Sequence, residues 1–366
     1  MAKKEKLIEE ILLECIRPVT EEDRKRIKEG KLMKVSYSKL DLLKCPRKFK
    51  LRYIDGNYSE KSTVALDLGS LLHKVLELKG RDKIEEKETD YNYLLEVIKN
   101  GIKEETEKGS ELIEGINVLS QKYARSWDEP DNKTGMNYTQ KVQLFLTDVL
   151  PNEMEEPEWF VLGTEIPFEF IYKYGENKDG SPKEVLINGF IDRIDFKDFD
   201  NDENGEIIYK DLKVVDYKTS KAVFPDADIK TSLQHFTYDL ACLFKYDSIP
   251  IWHEYDFICI NQKQTTADGV CSKGYLKRGK KKLDKLLNSI DELAEENIYT
   301  PKPTPLCYWC DFADKEHTPN ADSKNGGLCK YYSLWKPNNK TFEVKNKFDP
   351  ENPYKDLSPK RKKFIF

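Results

Sequence analysis

Between Glu206 and Ile260 the chain reads strand, helix, strand, the order of a sheet with a crossover helix. The runs "EIIYKDLKVVDYKTS" and "HEYDFICI" are rich in β-branched and aromatic residues, the composition of strands. Between them, "IKTSLQHFTYDLACLFKY" sets Leu233, Phe236, Leu240, Leu243 and Phe244 on one stripe at helical spacing. A helix that crosses over between two strands covers the sheet they share. Two more strand-like runs, "EWFVLGTEIPFEFIYKY" and "EVLINGFIDRIDFKDF", come before, and "GKKKLDKLLNSIDELAEEN" after them is helical. The expected fold is therefore mixed α/β, with a central sheet, flanking helices and helical embellishments.

The 366 residues suffice for one large domain or two modest ones. Hydrophobic content of 38% supports a core, and the net charge of −5 means that any footprint for nucleic acid must be local. No apolar run approaches the roughly 20 residues that span a bilayer. The opening "MAKKEKLIEEILLECIRPVTEEDRKR" reads as an amphipathic helix, since acids break its apolar stretch. Eight cysteines without a secretory signal point to reduced thiols or ligands, and the expected compartment is cytoplasmic.

Along the chain, residues 1–35 form a helical N-terminal segment and 36–335 the main domain. In the latter, "VSYSKLDLLKCPRKFKLRYI" opens a helix that Ser38 can cap, and "LDLGSLLHKVLELKG" continues the helical pattern. Residues 81–150 are expected to be a helical insertion, with "YNYLLEVIKNGI" and "QKVQLFLTDVL" as apolar seams. A cysteine-rich segment covers 299–335, and 336–366 is a basic tail.

Side chains at i and i+2 of a strand share a face, so "DYK" projects Asp216 and Lys218 together. In "LINGFIDRIDF", Asp192 shares a face with Phe190 and Ile194, and Asp195 takes the other with Ile191 and Arg193. Adjacent strands would gather Asp192, Asp216 and Lys218. Carboxylates brought together repel unless a proton or cation bridges them, and hard oxygen ligands select Mg²⁺ or Mn²⁺. A solvated strand end with an ordinary ion pair would carry the same tripeptide. On the following helix, Gln234 and Tyr238 are i and i+4 and reach the same side. His73 stands four residues after Gly69, and an imidazole ligand would suit Mn²⁺ better than Mg²⁺.

"CYWC" supplies Cys307 and Cys310, and "GGLCKYY" supplies Cys329, a pattern for a metal or cluster site. The fourth ligand is open between Cys45 of "KCPRKF" and His317, which would complete a Cys₃His zinc site; ordinary thiols are the third reading. Cys15, Cys242, Cys259 and Cys271 lack partner spacing. Local basic stretches exist: "RKFKLRY" alternates Arg47, Lys48, Lys50 and Arg52 with Phe49 and Tyr53, as a surface gripping a DNA strand would. "KRGKKKLDK" adds a cationic helix start at Lys277–Lys285.

The motifs "GSLLH", "GFIDRID", "DYKTS" and "QHFTY", in that order, resemble the PD-(D/E)XK nuclease superfamily, and within it the RecB-like and AddB-like exonucleases related to CRISPR adaptation. The resemblance implies a restriction-endonuclease-like central mixed sheet flanked by helices and metal-dependent cleavage of DNA at ends or single strands. It implies His73, Asp192 and Asp216 as ligands of Mg²⁺ or Mn²⁺, with the Tyr217 carbonyl as a further one. Lys218 would be the catalytic lysine, and Gln234 and Tyr238 the downstream Gln–Tyr motif. Glu165 stands where relatives often keep an acid. It further implies a [4Fe–4S] cluster on Cys45, Cys307, Cys310 and Cys329, with Zn²⁺ as the alternative. The gap between Cys310 and Cys329 is longer than such relatives usually have. Recombination, repair or phage DNA metabolism is the implied setting. No G-x-x-x-x-G-K-[ST] loop is present, so unwinding would need a helicase or recombination protein as partner. The rival expectation is a non-catalytic nucleic-acid-binding or assembly module.

Overall fold

The computed structural model describes residues 8–58, 62–106, 109–229, 231–265, 272–302, 307, 310–313, 325–329, 335–336 and 341–342. Its centre is a mixed seven-stranded sheet. Strands β1 (Ile16–Arg17), β2 (Phe160–Glu176), β3 (Pro182–Phe196), β4 (Lys213–Lys218), β5 (Trp252–Phe257) and β6 (Gln262–Thr265) lie side by side in chain order, and a short seventh strand beginning at Lys34 pairs with β3. The pairs β1–β2, β2–β3, β3–β4 and β5–β6 are antiparallel, and β4–β5 is parallel. Parallel neighbours need a crossover, which the helix Leu233–Tyr246 supplies.

Two helices position the site. Helix α1 (Val64–Ile84) starts at Thr63, whose side chain accepts from the Leu66 N–H. Its apolar stripe, Leu68, Leu71, Leu72, Val75 and Leu76, shares a core with Val215 and Tyr217 of β4. The crossover helix, α2 (Leu233–Tyr246), is capped by Ser232 and stopped by Asp247 in the left-handed conformation, φ 50°. Phe244 packs on Phe170 of β2 at 5.8 Å between ring centroids, and Tyr238 meets Phe168 edge-on at 6.2 Å.

Residues 81–150 are not wholly helical. Helix Tyr91–Asn100 ends at Gly101, φ 84°, and a hairpin of Gly101–Thr106 with Gly109–Glu114 follows before helices Ile116–Lys122, Ala124–Asp128 and Tyr138–Leu144. A Cβ at Gly101 would lie 2.1 Å from the Ile113 carbonyl oxygen, so the turn into the hairpin requires glycine there.

Close contacts group the chain into two units: Met1–Lys34 with Ser62–Lys282, which holds the sheet, and Val35–Lys61 with Leu283–Phe366. In the second unit the expected long helix after Ser38 is a series of short turns. The cap is Ser36, whose Oγ accepts from the Lys39 N–H at 3.3 Å, and helix Tyr37–Asp41 is brief. Proline disfavours helical geometry in the residue before it, and Cys45 is accordingly extended, φ −131° and ψ 95°, ahead of helix Pro46–Phe49.

At Gly80 of α1 a Cβ would lie 2.3 Å from Cγ2 of Thr164 on β2. Gly80→Ala gains about 1 kcal/mol of helix propensity but overpacks a contact that a β-branched residue cannot relieve, a cost of about 1–3 kcal/mol. Urea titration is expected to show net destabilisation, largely restored by adding Thr164→Ser, which removes Cγ2. A variant at least as stable as the parent would contradict this close approach.

Candidate active site

Strand β4 carries the sequence KVVDYK, and its pairing with β3 runs through Asp195↔Lys213, Ile194↔Val214 and Arg193↔Val215. Beyond that rung the Tyr217 N–H donates to Asp192 Oδ2 at 2.7 Å, so a side chain takes the place of a strand partner. On the other side β4 stays paired to β5, with Asp216 opposite Tyr255 and Lys218 opposite Phe257. The carboxylate of Asp192 is thereby fixed where β3 and β4 part.

Two more groups reach Asp192. Nδ1 of His73 lies 3.6 Å from Asp192 Oδ2, and its ring meets Tyr217 edge-on at 5.7 Å. Glu165 lies between Thr164, paired with Arg193, and Ile166, paired with Ile191, which sets it abreast of Asp192. Its backbone is left-handed, φ 46°, a conformation uncommon for a residue with a Cβ. One ligand atom from each of His73, Glu165 and Asp192 lies within 4.8 Å of the others. Burial, then the charges of Asp192 and Glu77, push the Glu165 carboxyl up to about 8, against the pull of Lys74. Burial and the Asp216 charge raise Asp192 to about 6, although His73, Lys218 and the Tyr217 N–H oppose the shift.

Asp216, 2% exposed, stands beside this trio and is held by other groups. Its Oδ2 is in contact with the Lys218 ammonium. Its Oδ1 accepts from Gln234 Nε2 at 2.7 Å and from the Tyr238 hydroxyl at 3.0 Å. Gln234 Nε2 also donates to the Tyr238 oxygen at 2.8 Å, and Gln234 Oε1 accepts from Lys218 Nζ at 3.4 Å. The amide orientation is thus set from both ends. The structure brings His73, Glu165 and Asp192 into one group, and Asp216, Lys218, Gln234 and Tyr238 into an adjoining one. Tyr217 contributes its N–H to Asp192, while its hydroxyl accepts from Arg193 at 2.7 Å.

An oxygen-rich set with one imidazole, in which burial and then neighbouring charge push two carboxyls above their ordinary values, is the donor set a hard divalent cation relieves. Missing from the sequence reading were Tyr255, His253 and Asp239 around the lysine, and the buried acids Glu153, Glu254 and Asp256. The alternation of "HEYDF", with charges at 254 and 256 inside an apolar strand, was the available signal.

In the second unit, Cys45, Cys307, Cys310 and Cys329 line one pocket together with Lys48, Leu51, Pro301, Lys302 and Phe312. None of the four is in a disulfide. The Cys310 N–H donates to the Cys307 carbonyl at 3.1 Å, closing the C-x₂-C turn, and the Lys302 N–H donates to Cys45 Sγ at 3.5 Å. Four convergent thiols fit a four-thiolate group. His317 and Cys271 lie outside the described residues. The "RKFKLRY" stretch is helical rather than an alternating face: Phe49 is fully buried, Lys50 pairs with Asp55 at 2.6 Å, and Lys48 borders the cysteine pocket. Phe49 therefore offers no stacking surface to a base.

The raised acids give a signed pH dependence. The folded chain binds protons at Glu165 and Asp192 more tightly than the unfolded chain, whose ordinary values are 4.5 and 3.8. That contribution to metal-free stability is complete below about pH 4 and is lost as the pH rises through about 6 and then 8. The melting temperature in chelator is expected to fall from pH 5 to pH 8, and added Mn²⁺ to raise it more at pH 8 than at pH 5. Glu165→Gln should flatten the slope; an unchanged slope in that variant would count against this account.

A family model of the PD-(D/E)XK nuclease superfamily matches residues 34–314, well over half of the chain, and no curated protein matches it. The matched span includes "GSLLH" and "QHFTY" on α1 and α2, "GFIDRID" on β3, "DYKTS" at the end of β4, and every strand of the sheet but β1. The chain belongs to the PD-(D/E)XK nuclease superfamily, a family of metal-dependent nucleases acting on DNA.

Proposed function

We propose that the protein is a Mg²⁺- or Mn²⁺-dependent deoxyribonuclease that works as an exonuclease on DNA ends or single strands. The observation that carries this reading is the trio His73, Glu165 and Asp192 beside the Lys218–Asp216–Gln234–Tyr238 cluster. The order of the four motifs supports the RecB-like branch, and with it a role in recombination, repair or phage DNA metabolism alongside a helicase or recombination protein.

His73, Glu165, Asp192 and Asp216 would hold the cation, with the Tyr217 carbonyl as a further candidate. When bound, such a cation polarises a phosphoryl oxygen and lowers the pKa of a water to where hydroxide forms near neutrality. Lys218, oriented by Asp216 and Gln234, donates to the phosphate that gathers charge or orients the attacking water. Tyr238 and Gln234 keep Asp216 fixed while its neighbours change partners.

The test is cleavage of 5′- and 3′-labelled single- and double-stranded DNA in Mn²⁺. Asp216→Ala and Lys218→Ala are each expected to lower kcat by about 100-fold or more while the DNA dissociation constant changes little. Gln234→Glu, which sets a carboxylate oxygen against Asp216, should cost about tenfold or more. Binding without cleavage in every divalent metal tried would instead favour a non-catalytic nucleic-acid module.

For the cysteines we infer a [4Fe–4S] cluster on Cys45, Cys307, Cys310 and Cys329 with a structural role. Anaerobically purified protein should be brown and contain about four iron and four sulfide per chain. Cys45→Ser should lose the colour and the iron. A colourless protein with about one zinc would replace the cluster by a zinc site, and an unbleached Cys45→Ser would point to His317.

A further inference from the structure

Lys218 rests on a column of stacked rings. Its Nζ lies 5.2 Å above the centroid of Tyr255, within the roughly 6 Å reach of a cation–π contact. Beneath Tyr255, the His235 ring stacks at 4.2 Å, tilted by 28°, and His253 stacks on His235 at 4.4 Å, tilted by 18°. The column ends on an anion: His253 Nε2 donates to Asp239 Oδ1 at 2.7 Å. Tyr255, His235, His253 and Asp239 are all at most 3% exposed.

Three features fix the upper ring. Tyr255 is the register partner of Asp216, so its backbone is tied to the strand that carries the lysine. Its hydroxyl is 2.9 Å from Ser232 Oγ, the residue capping α2. Its lower face is occupied by His235. Neither ring nitrogen of His235 has a hydrogen-bond partner among the described residues, which suits a neutral plate more than a ligand or base. Burial, then His253 and Lys218, hold its pKa well below the ordinary value, and a cation there would repel Lys218.

A π face attracts an ammonium without consuming an N–H. Asp216 and Gln234 draw the lysine through hydrogen-bonding directions, and Asp216 is also wanted by a cation. Among the described residues that contact Lys218, the Tyr255 face would support the ammonium without taking up one of its N–H donors.

We propose that Tyr255 is a positioning residue for the catalytic lysine, with His235 as the plate that keeps its ring flat beneath the ammonium. The proposal rests on the nuclease reading above and assigns a role to Tyr255, outside the four motifs, and to His235, a position within "QHFTY" to which that reading gives none.

Steady-state cleavage of labelled DNA in Mn²⁺ separates the possibilities. Tyr255→Leu is expected to lower kcat about tenfold with KM nearly unchanged. Tyr255→Phe keeps the ring face, loses the hydroxyl that contacts Ser232, and should stay within about twofold of the parent. His235→Phe preserves the stack and should also remain active, whereas His235→Leu should lose about threefold in kcat. Should Tyr255→Leu not fold, the His235 pair carries the test. Equal impairment of Tyr255→Phe and Tyr255→Leu, a change confined to KM, or equal activity of the two His235 variants would overturn the proposal. A parent protein that cleaves no DNA would overturn the nuclease reading instead. Normal cleavage by the parent, its loss in Lys218→Ala and no effect of Tyr255→Leu would sink this inference alone.

Discussion

Pairing between β3 and β4 stops at Arg193↔Val215, and the site follows from where it stops. Up to that rung, backbone donors and acceptors satisfy one another. Past it the Tyr217 N–H needs a new acceptor, since a buried amide left alone would be costly, and Asp192 supplies one. The parting strands leave room for carboxylates between them. On the neighbouring β2, Glu165 adopts a left-handed backbone that costs a side-chain-bearing residue of order 1–3 kcal/mol and turns up abreast of Asp192. The rest of the sheet has to be stable enough to hold a broken ladder, a strained residue and crowded acids in one place.

The reverse face of the same strands shows how that is done. In β5, His253, Tyr255 and Phe257 alternate with Glu254 and Asp256, so one face holds the ring column and the other buried charge. Lys263 Nζ stands 3.1 Å from Glu254, 3.3 Å from Glu153, 3.5 Å from Glu156 and 3.7 Å from Asp256. Arg193 contacts Glu153 and reaches Asp195 at 2.8 Å, and Lys213 reaches Asp195 at 3.1 Å and Glu156 at 3.0 Å. Burial of Glu153 is outweighed by Arg193 and Lys263, which hold it below its usual value, while burial and then Glu153 push Asp256 well above. Such a network adds little net stability because desolvation offsets the attraction. Its value lies in register: a slip of one residue would drive Arg193 or Asp256 into an apolar layer, and the register is what sets the strand fork at Arg193.

Periodicity carried most of the fold. The order strand, helix, strand forced a crossover, and the stripe Leu233, Phe236, Leu240 and Leu243 named the buried side of α2. The motif residues were visible as short runs of acids and a lysine in apolar strands. What escaped was set by tertiary or single-residue effects. The hairpin at 101–114 hides in a charged stretch, marked by Gly101 and Gly109 at the starts of its two strands. The helix expected after Ser38 is cut short because Pro46 forces Cys45 out of helical geometry. The left-handed Glu165 leaves no trace in composition, since glutamate has no preference for that conformation. The column under Lys218 depends on the parallel register of β4 and β5, which places Tyr255 beside Asp216 although 39 residues separate them.

The inferred four-thiolate site bears on the second unit in a similar way. That unit is assembled from residues 35–61 and residues 283–366, segments with the five strands β2 to β6 of the sheet between them in the chain. A group bound by Cys45 with Cys307, Cys310 and Cys329 closes a loop of about 260 residues, whereas His317 as fourth ligand would close one of about 10. Closure entropy grows by about 0.6 kcal/mol for each doubling of length, so the split arrangement removes about 3 kcal/mol more conformational freedom from the unfolded chain. The local arrangement would order only the C-terminal segment and leave residues 35–61 to hold by packing, for which Val35, Leu40, Leu43, Pro46, Phe49 and Leu51 are the buried apolar side chains among the described residues. Four short turns with so few apolar contacts are a weak anchor. A ligand from residue 45 would tie the two segments of the unit directly to each other.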